Sequence, residues 1–172
     1  MFNDCINLTT APSLPATTLA IYCYKDMFKG CINLISAPEL PATTLTNYCY
    51  DYMFYGCTNL TTAPELPATK LGDGCYQYMF RDCVNLTVIP QLPATTLTSY
   101  CYRFMFKGCT KIKLSKSQTG EYQTEYRIPT SGTGSIIGTS SLMSMFEGTG
   151  GTFTGTPTTD TIYYLSTSNT VV

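Results

Sequence analysis

Apolar residues recur along this chain with a period of 26 positions, and the segment Tyr48 to Cys57, YCYDYMFYGC, shows the pattern best. Placed on a helix, Cys49, Tyr50, Met53, Phe54 and Cys57 fall within one arc of roughly 140°. The residues that vary between repeats, such as those at the positions of Asp51 and Tyr55, lie outside that arc. The pattern therefore predicts one short helix in each unit, with the repeated residues buried and the variable ones exposed to solvent.

The Met-Phe pair is the clearest marker of the repeat. It occurs at Met1-Phe2, Met27-Phe28, Met53-Phe54, Met79-Phe80 and Met105-Phe106, each followed three residues later by a cysteine. Self-similarity at a fixed period of this length is typical of solenoids. The repeat over residues 1–112 thus predicts an α/β solenoid.

The other half of each unit reads NLISAPELPATTL between Asn33 and Leu45. Leu34, Ala37, Leu40 and Leu45 are the expected inward residues of a short strand and a bend. Proline gives no N–H to a β-ladder, so Pro38 and Pro41 limit each strand to a few residues. Each 26-residue unit is therefore expected to contribute one short parallel strand and one short helix.

A second region, residues 113–172, differs in composition, since it contains no cysteine and is dense in serine, threonine and glycine. KIKLSKSQ (111–118) and EYQTEYRI (121–128) alternate around a Thr-Gly turn and predict a β-hairpin. Met145-Phe146 restores the repeat marker, with Thr149 in place of the cysteine, and indicates a degenerate last repeat. Together with the β-prone end of the chain, these segments predict a β-rich C-terminal cap over the open core.

The motif L-x-x-A-x-x-L-P, followed by M-F-x-G-C-x-N-L, resembles the BspA-like class of leucine-rich repeats over residues 1–112. The resemblance implies a leucine-rich-repeat fold for this region. It also implies a cell-surface or secreted protein, since members of that class are mostly bacterial or protozoan proteins of this kind.

Composition excludes several classes of partner. The chain of 172 residues is 44% hydrophobic and 12% charged, with a net charge of −1 and no basic stripe, which argues against nucleic-acid binding. No apolar run approaches the ~20 residues of a membrane span, and no signal segment precedes the first repeat. Because Met1-Phe2 already occupies a repeat position, we expect a native amino-terminal region to be missing.

Nine cysteines form two columns with a spacing of one repeat, and the chain has no histidine. Neighbours in a column are expected about 5 Å apart, which is close enough for a disulfide. A thiol is also a small hydrophobic group, and free, buried thiol ladders are the favoured interpretation. Some disulfides remain an alternative, and a metal site is the least favoured reading, since neither CxxC spacing nor histidine is present.

No catalytic residue, metal ligand or cofactor site is predicted. The absence of histidine excludes Ser-His-Asp and Cys-His arrangements. Glu39 and Glu65 stand one repeat apart, a spacing that also suits the carboxylate pair of a retaining glycosidase. Ser13 and Gln91 occupy the same column, so an exposed, tolerant position is the stronger interpretation.

We therefore expect a non-catalytic binding or adhesion module that engages a protein or glycan on another cell or on a host surface. The alternatives are a phage tail fibre or receptor-binding tip, indicated by the β-rich end, and an enzyme. Varying columns are the expected binding surface, because repeated residues hold the core. Two columns are candidates: Ser13, Glu39, Glu65 and Gln91 on the strand side, and Tyr52, Tyr78 and Phe104 on the outer wall.

Overall fold

A computed structural model describes all 172 residues, and its regular elements are short strands without any helix. The predicted α/β solenoid of leucine-rich repeats is therefore wrong, because the segments predicted as helices are runs of consecutive turns. The strands are β1 (Val88–Ile89), β2 (Thr96–Leu97), β3 (Lys113–Ser115), β4 (Tyr122–Arg127), β5 (Ser135–Ile136), β6 (Gly150–Gly151), β7 (Ile162–Ser166) and β8 (Thr170–Val171). No helix is present that could span a membrane.

We call each run of turns a turn ribbon; residues 47–56 form one. Its main-chain N–H groups alternate between two kinds of acceptor. The N–H of Met53 donates to Tyr50 C=O at 3.2 Å, within the same unit, whereas the N–H of Phe54 donates to Met79 C=O, in the next unit, at 2.9 Å. In an α-helix, Phe54 would donate to Tyr50 instead. Half of the hydrogen bonds of each ribbon are thus supplied by its neighbour.

Every fourth residue of the ribbon has a left-handed backbone. The φ angles are 56° at Tyr48, 57° at Tyr52 and 72° at Gly56. Tyr52 is the third residue of the turn from Tyr50 to Met53, where a type II turn requires a positive φ. One pair of turns takes four residues, so the ribbon repeats every four residues. That period is close to the 3.6 residues of an α-helix, which explains the wrong helix prediction.

The predicted buried face is nevertheless confirmed. Cys49, Tyr50, Met53, Phe54 and Cys57 are all between 0 and 1% exposed. The predicted solvent face is only partly right, because Asp51 is 2% exposed and Tyr55 is half-buried. At the equivalent position of the other units, Lys25 is exposed and Gln77 and Arg103 are half-buried, so the full burial of Asp51 is particular to its unit.

Identical side chains stack from unit to unit. Phe54 lies between Phe28 and Phe80, with ring centroids 5.6 and 5.5 Å away. The full stack contains Phe2, Phe28, Phe54, Phe80, Phe106 and Phe146. A parallel stack contains Tyr24, Tyr50, Tyr76 and Tyr102. These stacks, together with the thiols and leucines, make one continuous core.

On the opposite side of each unit, the expected parallel strand is reduced to single-residue bridges that link Thr10, Ser36, Thr62 and Val88. The prolines explain this, since they cannot continue the ladder. β8 has no proline, and it pairs with β1 over two residues in parallel. The asparagine column also contributes, because the Nδ2 of Asn59 donates to the Oδ1 of Asn33 at 3.0 Å.

The C-terminal region forms a four-stranded sheet in the order β4-β7-β3-β6, while β2 pairs with β5 in parallel. The predicted hairpin is absent, because β7 lies between β3 and β4 and pairs antiparallel with both. The segment predicted as a degenerate last repeat lies against the unit before it. Phe146 stacks on Phe106 at 5.5 Å, and the N–H of Phe106 donates to Met145 C=O at 3.0 Å.

Replacing Phe54 by alanine should lower the free energy of unfolding by about 3–5 kcal/mol, because the ring is fully buried within the stack. Tyr55→Ala should cost about 1 kcal/mol, since that ring lies half-exposed under Lys29 and Arg81. Urea denaturation of the two variants measures both values. Equal losses would contradict the assignment of the two faces.

Candidate functional site

The strand-side column borders a hollow on the surface. Its volume is about 400 Å³, and it is lined by Ala37, Pro38, Glu39, Leu40, Pro41, Pro64, Glu65 and Pro67. A second hollow of about 300 Å³ continues it past Glu65 and is lined by Glu65, Leu66, Pro67, Gln91, Pro93 and Val172. We call these two hollows together the proline groove. Ser13 is exposed but does not line it.

The repeat sequence builds this groove directly. Leu40 and Ala42 are 3% and 1% exposed and anchor the segment to the core, which leaves Glu39 and Pro41 on the outside. Each unit repeats this arrangement, so its prolines and acidic residues lie in rows. Of the predicted strand-side residues, the structure thus brings Glu39, Glu65 and Gln91 together in one groove.

Glu39 and Glu65 are exposed, and neither carboxylate takes part in an ion pair or a side-chain hydrogen bond. Their main-chain N–H groups also lack an acceptor within the chain, whereas the equivalent N–H of Gln91 donates to Val172 C=O at 2.8 Å. The groove therefore has both charges and backbone donors that the fold does not use.

The aromatic column is organised differently. Tyr52 and Tyr78 stack with ring centroids 4.3 Å apart, and Tyr78 and Phe104 follow at 4.9 Å. Cations lie against the same rings: Lys29 is 5.3 Å from the Tyr52 ring, and Arg103 is 4.7 Å from the Phe104 ring. The ring faces are thus covered by neighbouring side chains. This packing favours a role in shielding the turn ribbons over a role in binding a sugar face.

Beside this column lies an ion pair that the sequence reasoning missed, between the exposed Lys25 and the buried Asp51. The Nζ of Lys25 is 3.0 Å from the Oδ2 of Asp51, and the Oδ1 of Asp51 has no hydrogen-bond partner. Burial raises the pKa of Asp51 to about 6, although Lys25 opposes the shift. The hydrogen bond to Asp51 raises the pKa of Lys25. In the sequence, this ion pair was indicated by a lysine and an aspartate at the same position of successive repeats.

All nine cysteines are free, and the predicted burial is confirmed for seven of them, while Cys5 is half-buried and Cys23 is exposed. The Sγ of Cys57 donates to Phe28 C=O at 3.1 Å, and the equivalent bond joins Cys83 to Phe54 C=O at 3.0 Å. Burial raises the pKa of Cys57 to about 12. These thiols therefore stay protonated and act as hydrogen-bond donors that link successive units.

Chemically, the groove offers apolar contact and negative charge. Its lining contains no hydroxyl or thiol side chain that could serve as a nucleophile. The arrangement of exposed carboxylates between prolines is suited to reversible binding.

Comparison with known proteins found no matching family model, no matching curated protein and no matching solved structure. The resemblance to BspA-like repeats stays a prediction, and the helical repeat fold that it implied is not the fold of this chain.

The ion pair between Lys25 and Asp51 leads to a prediction about pH. The pKa of Asp51 is about 6 in the folded chain against an ordinary value of 3.8, so the folded state binds the proton more tightly than the unfolded state does. Stability should therefore rise as pH falls from 7 to 4, by on the order of 2 kcal/mol from this residue. The measurement is the difference in unfolding free energy between the chain and Asp51→Asn at several pH values.

Relative to Asp51→Asn, the unmodified chain should gain stability on acidification, because the variant has no carboxylate to protonate. Lys25→Met is the matched control. Without the cation that stabilises ionised Asp51, the gain should become larger. A difference between the chain and Asp51→Asn that does not change with pH would contradict the shifted pKa.

Proposed function

We propose that this chain is a non-catalytic binding module that holds a protein or a glycan in the proline groove. The observation that carries the proposal is the pair of exposed, unpartnered carboxylates, Glu39 and Glu65, in a hollow of about 400 Å³. The repeated residues hold the core, whereas this column varies from serine to glutamate to glutamine. Variation on a fixed scaffold is typical of binding surfaces.

The aromatic column and the buried thiols are explained by their contribution to the stability of the fold. The aromatic column covers the turn ribbons, and the protonated thiols tie units together through main-chain carbonyl groups. Neither therefore competes with the groove as a binding site. The proposal that the chain acts at a cell surface and binds a ligand of another cell or of a host rests on the resemblance to BspA-like repeats.

The alternative function, a fibre or receptor-binding tip, draws on the C-terminal region. Ile136 and Ile137 are 53% and 72% exposed there, beside a hollow of about 390 Å³ lined in part by Leu142 and Met143. Exposed apolar groups of this kind suit attachment to a larger assembly. The groove is the better-supported site, because it combines a concave surface with two carboxylates that have no partner within the chain.

Screening on glycan and peptide arrays tests the proposed function. Any ligand retained by the unmodified chain should bind about tenfold more weakly or worse to Glu39→Ala/Glu65→Ala, because the groove loses both of its charges. Tyr52→Ala/Tyr78→Ala should bind normally, since those rings line no part of the groove. Urea denaturation of both variants checks that they are folded.

Two results would contradict the proposed function. One is a chain that retains no ligand on either array. The other is a ligand whose affinity is unchanged in Glu39→Ala/Glu65→Ala but lost in Tyr52→Ala/Tyr78→Ala, which would move the site to the aromatic column.

A further inference from the structure

We propose that the ligand of the proline groove is an extended polypeptide segment with basic side chains at alternate positions. This inference rests on the proposed binding function and names the class of ligand. It combines three properties of the groove: its charge, its apolar walls and its unused main-chain donors.

The negative charge of the groove favours a ligand with positive charge. Glu39 and Glu65 are the only charged side chains that line the groove, and the chain itself provides neither with a cation. A neutral or acidic ligand would cover these carboxylates without pairing them, which is unfavourable. Lysine or arginine side chains on the ligand would pair with both.

The walls suit the rest of a basic side chain. Pro41, Pro64 and Pro67 present apolar rings beside the carboxylates. The methylene groups of lysine and arginine pack on apolar surface of this kind while the charged end reaches a polar partner. Alternate side chains on one face of an extended peptide lie about 7 Å apart, and neighbouring units about 5 Å, so flexible basic side chains can reach both carboxylates.

The fourth unit shows how a neighbouring segment uses the main-chain donor at this position, because β8 lies beside β1 on the side where the next unit lies elsewhere in the array. β8 runs along one unit, whereas a peptide that pairs with both carboxylates crosses two units, so β8 illustrates the use of the donor and not the direction of the ligand. The N–H of Gln91 donates to Val172 C=O at 2.8 Å, and the N–H of Val172 donates to Ile89 C=O at 3.0 Å. Glu39 and Glu65 hold the same position in their own units, and their N–H groups have no acceptor. An incoming peptide has main-chain carbonyls for these donors as well as cations for the carboxylates.

Fluorescence anisotropy with short labelled peptides tests the inference. One peptide alternates lysine with threonine, and a second alternates glutamate with threonine. The unmodified chain should bind the lysine peptide, and high salt should weaken that binding. Glu39→Gln/Glu65→Gln, which keeps the shape of both side chains, should bind it about tenfold more weakly.

A matched control removes two carboxylates elsewhere. Asp26 and Glu147 pair with Lys29 and Lys107 on the turn-ribbon side, and neither lines the groove. Asp26→Asn/Glu147→Gln changes the net charge by the same amount, so it should bind the lysine peptide normally if the groove is the site. Glu39→Lys/Glu65→Lys should reverse the preference and bind the glutamate peptide.

Equal affinity of the unmodified chain and Glu39→Gln/Glu65→Gln for the lysine peptide would overturn the inference, as would no binding of that peptide. A neutral chito-oligosaccharide is the third probe. If it binds and its binding is lost in Glu39→Ala/Glu65→Ala while the lysine peptide fails, the ligand class is wrong and the groove still functions. If no probe binds and neither array yields a ligand, the proposed function is contradicted as well.

Discussion

The fold depends on one hydrogen bond that is repeated throughout the array: the main-chain N–H of every second ribbon residue donates to a carbonyl in the next unit. Tyr50, Tyr52 and Phe54 make this bond to Cys75, Gln77 and Met79, at 3.0, 3.0 and 2.9 Å. The remaining N–H groups close tight turns inside the unit. A single ribbon is left with half of its donors unpaired, so it requires a neighbour to be stable.

The same bond determines which side chains the repeat can use. Units held this closely place identical residues over one another, which favours flat rings that stack and small thiols that donate to the carbonyl of Phe28 or Phe54. The same bond also limits which residues can occupy the column that contains Asp82 and Gly108, where the backbone is left-handed. A Cβ on Gly108 would collide with the carboxylate of Asp82, so aspartate in one unit favours glycine in the next.

Much of the packing could be predicted from the sequence, because burial follows side-chain chemistry. Met53 and Phe54 were placed inside and are fully buried, and Met145-Phe146 was recognised as a further unit. The backbone was mispredicted for a physical reason. Periods of four and 3.6 residues place the same side chains on one face over ten residues, and only the left-handed residues separate them. The sequence does not indicate the left-handed backbone at Tyr48 and Tyr52, since tyrosine rarely adopts a positive φ.

Long-range pairing was the other part that local patterns could not supply. β3 and β4 were correctly expected to be extended, but β7, which pairs with both, comes 35 residues after the end of β4. In the site, the rows of Glu39 and Glu65 could be predicted from the repeat. Their lack of partners and the groove between them depend on how the proline segments pack, and the burial of Asp51 depends on contacts with the neighbouring unit, such as its ion pair with Lys25.

Through-hydrogen-bond NMR coupling tests the alternate bonding most directly. In a chain labelled with ¹⁵N-phenylalanine and ¹³C-carbonyl methionine, the amide of Phe54 should couple through one covalent bond to Met53 and, more weakly, across the hydrogen bond to Met79. The amide of Phe28 should show the same weak coupling to Met53. Absence of these weak couplings, with the Phe54 amide coupled instead to a labelled Tyr50 carbonyl, would show a helix and contradict the account.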